Sequence, residues 1–167
     1  MVLTREELLT SLQNEVRILL HLAAKIDRAQ LDYRPTPTQR STIELLRYLS
    51  VMGPELLAHI RSGTFDRAAW QAAVETTSRL DFDQVLAALH QHTTRYGELI
   101  AEFSDDDLRS EVQMFFRTAS RGSIIVNLVL CGHAAYRTQL FLYLKACGQD
   151  ELSTANLWAG MDAAVSV

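Results

Sequence analysis

The long apolar stretch from Ser123 to Gly148 constrains the fold of this chain more than any other feature. It reads SIIVNLVLCGHAAYRTQLFLYLKACG, contains no proline, and has Lys145 near its end before the final glycine. A cation in the last turn and a terminal glycine are typical of a helix C-terminus. A helix of about 25 residues extends roughly 37 Å. We therefore predict one helix long enough to run through the whole of a small domain.

Capping motifs and apolar residues at helical spacing predict three more long helices. Thr4, Ser41 and Asp81 are each followed three residues later by Glu or Gln. In such capping boxes two side chains satisfy each other's free backbone amides at a helix start. Pro54, next to Gly53, lies inside the second of these helices and predicts a kink there.

The remaining segments predict short additions to a bundle. We expect a short helix around Trp70, an irregular crossover over 111–122, and a tail helix over 153–162 that docks Leu157 and Trp158. Pro35 and Pro37 exclude regular helix from the connection over 28–40. No alternation typical of strands persists. The prediction is a single domain, residues 1–167, with an all-α fold: a four-helix bundle with a long crossover and short extra helices.

Composition and charge exclude several classes of protein. The net charge of -4 and the pI near 5.7 argue against a nucleic-acid partner, which normally requires a basic surface. No signal-like segment begins the chain, and polar residues interrupt the long helix, so we expect no membrane partner and a cytoplasmic location. Cys131 and Cys147 lie 16 positions apart, about 24 Å along a helix, and cannot bond to each other. We expect both to be small buried residues.

The middle of the long helix holds the one cluster that suggests more than packing: Gly132, His133, Tyr136, Arg137 and Gln139. A metal site on a helix needs a second ligand three or four positions away. His133 has Tyr136 and Arg137 there, so it gives a weak metal signal. Hydrogen bonding for His133 and a structural role for Arg137, which would tie helix ends or a dimer contact together, are the simpler interpretations. Core packing is likewise the simpler interpretation of the tyrosines.

Two segments carry a resemblance to a known family. YRPTPTQRSTIELLRYL (33–49) and YRTQLFLYLKACG (136–148) resemble the second and fourth helices of the DinB/YfiT-like superfamily of bacterial four-helix-bundle proteins. The resemblance implies a DinB-like bundle and a divalent metal such as zinc or nickel held by three histidines. It also implies a homodimer, because dimers are common in that family. It also implies, for characterised branches, transferase or isomerase chemistry with a low-molecular-weight thiol.

The family's three ligand positions fall here on Tyr48, Gly132 and Tyr136, so the chain resembles a divergent member without the histidine triad. A neutral phenol is a poor ligand for a divalent ion. We therefore predict no metal and no cofactor. Our hypothesis is that Gly132 makes room for the ring of Tyr48 or Tyr136, with His133, Arg137 or Gln139 close to both phenols.

Three functions follow from this interpretation. The first is a metal-free protein that binds a small molecule in a pocket between the second and fourth bundle helices. The second is a thiol-dependent transferase or isomerase that uses the tyrosines, or a metal site rebuilt from His133 and another histidine such as His59. The third is a non-catalytic dimeric interaction module. The sequence leaves the existence of catalysis open.

Overall fold

The fold is described by a computed structural model that covers residues 3–162. Seven α-helices, one 3-10 turn, two π-helical turns and one β-hairpin follow each other along this part of the chain. The elements are α1 (Arg5–Ala23), a 3-10 turn (Arg28–Gln30), α2 (Thr42–Ser62), α3 (Arg67–Ser78), α4 (Phe82–Ala101), α5 (Asp105–Arg109), β1 (Glu111–Met114), β2 (Arg117–Ser120), α6 (Arg121–Ile125), a π turn (Val126–Leu130), α7 (Cys131–Ala146) and a second π turn (Ala155–Ala159).

Four long helices form the bundle predicted from the sequence. Helix α1 packs against α4 and α7, and α2 packs against the same two helices. The two helices that come first in the chain therefore lie across the diagonal of the bundle, and the proline-containing connection joins them. Their apolar stripes meet in one core, with Leu12, Leu46 and Leu57 fully buried. The predicted all-α bundle is confirmed.

The predicted helix starts are also confirmed. Thr4, Ser41 and Asp81 cap α1, α2 and α4, and each forms a complete capping box with the residue three positions later. At the other end of α2, Gly63 has φ of 77°, a left-handed conformation that glycine adopts without steric cost.

The long helix is continuous but not uniform. It begins at Arg121, two residues before the predicted start, with the Ser120 hydroxyl accepting from the amide of Ser123. Its predicted end is confirmed, since Gly148 has φ of 93° just after α7. Between α6 and α7 the π turn contains one more residue than a regular turn. Residues after it are rotated by about 100° from where a straight helix would place them.

The prediction of no strands is wrong for one short segment. Strands β1 and β2 pair antiparallel, with Met114 opposite Arg117. Phe115 and Phe116 form the two-residue turn between them, and Phe115 has a positive φ of 55°. Strands of four residues are too short to show a clear alternation. The Phe-Phe turn also lacks the usual hairpin signal, which is Asn-Gly or Asp-Gly.

Two other elements form where expected but pack differently. Helix α3 contacts α2 through Trp70, yet none of its residues is buried. In the tail, a π turn replaces the predicted helix, Asn156 is the buried residue, and Trp158 is 68% exposed. Trp158 therefore does not dock as predicted. No helix within residues 3–162 is both long and apolar enough to cross a membrane.

Candidate functional site

A cavity of about 620 Å³ lies between α2 and α7. We call it the aromatic pocket, because five aromatic side chains line it together with aliphatic, small and weakly polar residues. The lining residues are Tyr48, Met52, Leu56, Phe65, Trp70, Phe115, Asn127, Leu128, Cys131, Gly132, Ala135 and Tyr136. Its volume is within the range of about 300–1,000 Å³ found for small-molecule sites.

Tyr48 of α2 and Tyr136 of α7 lie next to each other in the pocket wall. Their ring centroids are 5.1 Å apart with an interplanar angle of 68°, a favourable edge-to-face arrangement. Tyr48 also contacts Trp70 edge-to-face at 6.3 Å. The guanidinium carbon of Arg40, just before α2, lies 4.0 Å from the Tyr48 ring centroid. The Tyr48 ring is thus held between a cation and two aromatic neighbours.

Both phenols of this pair are half-buried, and Tyr136 affects the ionisation of Tyr48. Burial and the neighbouring Tyr136 raise the pKa of Tyr48 to about 12, although the Arg40 charge acts in the opposite direction. Removing the Tyr48 proton would place an anion against a second phenol in an apolar setting. At neutral pH Tyr48 is therefore a neutral phenol that can donate one hydrogen bond.

Gly132 lies beside these tyrosines, but the expected reason for the glycine is wrong. A Cβ at position 132 would lie 2.9 Å from Met52 Sδ, so the glycine makes room for the methionine of α2. The tyrosine rings are not the atoms that approach it. Met52 is 1% exposed, and this close approach lets α7 pack onto α2 at the floor of the pocket.

His133 points away from the phenol pair, contrary to expectation. It is 1% exposed, and its Nε2 is hydrogen-bonded to the hydroxyl of Tyr96 on α4. His92, also on α4, lies 6.4 Å away between ring centroids and donates from Nε2 to the Ser50 carbonyl at 3.0 Å. Burial lowers the pKa of His133 to about 3 and that of His92 to about 4. Both are neutral core side chains at pH 7.

Arg137 and Gln139 are likewise outside the aromatic pocket. Arg137 is 4% exposed and forms a two-pronged ion pair with Glu15 of α1, at 2.7 and 3.2 Å. It also donates to the carbonyl of Leu157 in the tail. Gln139 donates to the hydroxyl of Tyr143, one turn further along α7. The structural interpretation of Arg137 is therefore the correct one: it joins α1, α7 and the tail.

The cysteines are more accessible than predicted. Cys131 is exposed and lines the aromatic pocket, whereas Cys147 is half-buried at the end of α7. His59 is buried and packs on Phe65, with ring centroids 4.8 Å apart. Its neighbours are therefore pocket-wall aromatics, whereas those of His133 are Tyr96 and His92.

Tyr48, Gly132 and Tyr136, the positions where the resemblance implied metal ligands, do not fit a divalent metal ion. Two of them are tyrosines, one with a strongly raised pKa, and the third is a glycine without a donor atom. Within residues 3–162, no three His, Cys, Asp or Glu side chains are grouped closely enough to hold an ion. The side chains at these positions therefore support no reaction step through such a metal.

Three of the six candidate residues predicted from the sequence line the aromatic pocket, and much of the pocket wall was not predicted. Tyr48, Gly132 and Tyr136 come together, whereas His133, Arg137 and Gln139 serve the core and the tail. Phe65 and Trp70 were missed as lining residues. Their positions depend on how α3 folds back on α2, and no local pattern encodes that contact.

The bundle topology is the one expected of a DinB-like protein, and comparison with known proteins establishes the family. The sequence profile of the DinB superfamily matches residues 11–136. The chain belongs to the DinB superfamily. The matched region includes the Tyr48 position and ends at Tyr136, so the following Arg137 and Gln139 lie beyond it.

A solved structure supports the same fold. The chain is similar to a DinB-like protein, YjoA, from Bacillus subtilis, whose crystal structure superposes with a TM-score of 0.67. The two sequences are 16% identical, and the similarity covers 87% of this chain and 94% of the other. At this identity the likeness concerns the fold. Among curated proteins, none matches the chain.

Proposed function

We propose that this protein binds a small organic molecule in the aromatic pocket, without a metal ion. The observation that carries the proposal is the cavity itself. It is about 620 Å³ in volume and lined mainly by aromatic and aliphatic side chains, among them the adjacent phenols of Tyr48 and Tyr136. Apolar clefts with a few converging polar groups are the usual form of small-molecule sites.

A neutral, environment-sensitive dye such as N-phenyl-1-naphthylamine tests this function directly. We expect saturable fluorescence enhancement with one dye per chain. Ala135→Trp fills the pocket from an exposed position of α7 and should weaken binding at least about tenfold. Thr138→Trp, exposed on the same helix but not lining this pocket, is the matched control and should bind as wild type. Equal binding by the Ala135→Trp variant would contradict the proposal.

The metal-free part of the proposal has its own measurement. Two phenols and a glycine stand at the family's ligand positions. After incubation with zinc or nickel and desalting, we expect less than about one-tenth of an ion per chain by elemental analysis. A stoichiometric ion would instead favour the thiol-dependent transferase alternative. In that case, transfer to a low-molecular-weight thiol should be lost in Tyr136→Phe.

The homodimer remains a prediction from the family resemblance, as does the alternative of a non-catalytic interaction module. Light scattering of the purified protein measures the oligomeric state. A dimer that binds no dye in the aromatic pocket would favour the interaction module over the small-molecule function.

A further inference from the structure

The lining of the aromatic pocket also restricts the chemistry of the molecule that enters it. We propose that the ligand is an uncharged molecule with a planar aromatic body and a hydrogen-bond acceptor directed at the hydroxyls of Tyr48 and Tyr136. This inference rests on the proposed function and specifies its ligand class.

The aromatic body is inferred from the continuity of the pocket wall. Tyr136 contacts Tyr48, Tyr48 contacts Trp70, and Trp70 contacts Phe65 with ring centroids 5.7 Å apart. Phe65 in turn contacts Phe115 of the hairpin at 4.9 Å. These rings meet at angles between 46° and 70°, so the wall presents both faces and edges. An aromatic guest extends this arrangement with further stacked and edge-to-face contacts.

A cationic ligand is disfavoured despite the number of aromatic rings. Aromatic cages can bind quaternary ammonium groups through the negative ring faces. Here the guanidinium of Arg40 already occupies a face of Tyr48 at 4.0 Å. Within the described part of the chain, no carboxylate lines the pocket to balance a second positive charge. A buried cation would therefore have one aromatic face fewer to contact and no counter-ion in the pocket.

An anionic ligand is disfavoured for a related reason. None of the described lining residues is a lysine, arginine or histidine. Arg40 is an exposed residue outside the lining, with the Tyr48 ring against its guanidinium. Burying an anion in an apolar site without a paired cation costs much more than burying a neutral polar group that is hydrogen-bonded. An uncharged ligand avoids this cost.

The acceptor is inferred from the two phenols that line the pocket, whose ring centroids are 5.1 Å apart. Tyr48 is a neutral donor over the whole physiological pH range, because its pKa is raised to about 12. Tyr136 lines the same pocket next to Tyr48, so the wall offers phenol hydroxyls to a carbonyl or amide oxygen of the ligand. The other polar lining groups are the Asn127 amide and the Cys131 thiol, both at exposed positions.

Three ligands with the same ring system and different charge test the proposal: 2-naphthamide, 2-naphthoate and N,N,N-trimethyl-2-naphthylammonium. Binding is measured by calorimetry with the full chain. We expect the neutral amide to bind at least about tenfold more tightly than either ion. The double variant Tyr48→Phe/Tyr136→Phe keeps both rings and should weaken the amide about five- to tenfold, which is the effect of losing a hydrogen bond. It should leave the binding of unsubstituted naphthalene unchanged.

Failure of this inference and failure of the proposed function give different results. If an ion binds as tightly as the amide, and Ala135→Trp abolishes that binding, the pocket is a ligand site but the neutral class is wrong. Tight naphthoate binding lost in Arg40→Gln would overturn the inference in favour of an anion site. If neither the dye nor any naphthalene ligand binds, the proposed function fails as well.

Discussion

Gly53 determines how closely α2 and α4 approach in the centre of the bundle. Sequence reasoning connected this glycine with a kink at Pro54, but its surroundings give a different reason. A Cβ at position 53 would overlap the hydroxyl of Tyr96 and lie 2.8 Å from His133 Nε2. The space left by the missing side chain is where Tyr96 and His133 form their hydrogen bond. Three helices therefore meet at one residue without a side chain.

Gly53→Ala should destabilise the protein by about 2–4 kcal/mol. The new methyl group displaces the buried Tyr96 hydroxyl and leaves the imidazole of His133 without its partner. Urea unfolding monitored by circular dichroism measures the change.

Gly97→Ala is the matched control for this prediction. It is also a glycine inside a long helix, but no atom lies within 4 Å of the place that a Cβ would take there. Alanine at this position should raise the free energy of unfolding by up to about 1 kcal/mol, because it favours the helical backbone. If both variants changed stability in the same direction, the close approach at Gly53 would not be the cause of its effect.

At this scale the sequence was most informative where a side chain acts within its own helix. The capping residues Thr4, Ser41 and Asp81 were predicted because their partners are three positions away. The roles of Gly132 and His133 depend on Met52 and Tyr96, which belong to other helices. Helical spacing shows that such residues face inward but does not name the residue they will meet.

Helix α3 differs from the bundle helices in how it is held. It supplies Trp70 to the pocket wall, yet none of its residues is buried, whereas α4 buries Leu89, Tyr96 and Leu99. Helices with little buried apolar surface open at a lower free energy than the rest of the molecule. We therefore expect α3, which forms part of the pocket wall, to be less stable than the helices of the bundle.

Hydrogen exchange should show this difference. We expect the amides of α3 (Arg67–Ser78) to exchange at least about tenfold faster than those of α4 under native conditions, because their opening does not require the core to unfold. Adding a ligand that binds the aromatic pocket should slow exchange in α3 and leave α4 unchanged. Uniform protection of both helices would show instead that α3 opens only with the whole bundle.

The elements that escaped prediction are those without a long period. The β-hairpin has four residues in each strand and a Phe-Phe turn, and the π turn over 126–130 lies inside an apolar run. A helical pattern continues on both sides of such a turn, so the sequence reads as one uninterrupted helix. The bundle helices were predictable because each repeats its apolar residues over several turns.

The stability of the whole molecule should fall as the pH drops below about 6.5. His92 and His133 have lowered pKa values in the folded state, about 4 and 3, against 6.5 for an unperturbed side chain. The unfolded chain therefore binds protons first as pH falls. The contribution of these two neutral histidines to the free energy of unfolding is present above pH 6.5. It is lost progressively as the pH falls towards their pKa values in the folded state.

We expect the free energy of unfolding to decrease by on the order of 3 kcal/mol between pH 7 and pH 5, as measured by urea unfolding. His133→Gln has no proton to gain and should lose roughly half of this decrease. His90→Gln replaces an exposed histidine on α4 and should leave it unchanged. An unaltered pH dependence in His133→Gln would show that its imidazole does not carry the effect.

The π turn before Cys131 has a consequence for how this chain is compared with its relatives. Such a turn absorbs one inserted residue locally, so the helix on either side keeps its neighbours. A relative with a straight helix would align only with a one-residue gap somewhere in 126–130. Loss of a single codon there would regularise the helix and leave Tyr136 against Tyr48. Elsewhere in the same helix the same deletion would rotate every following residue out of place.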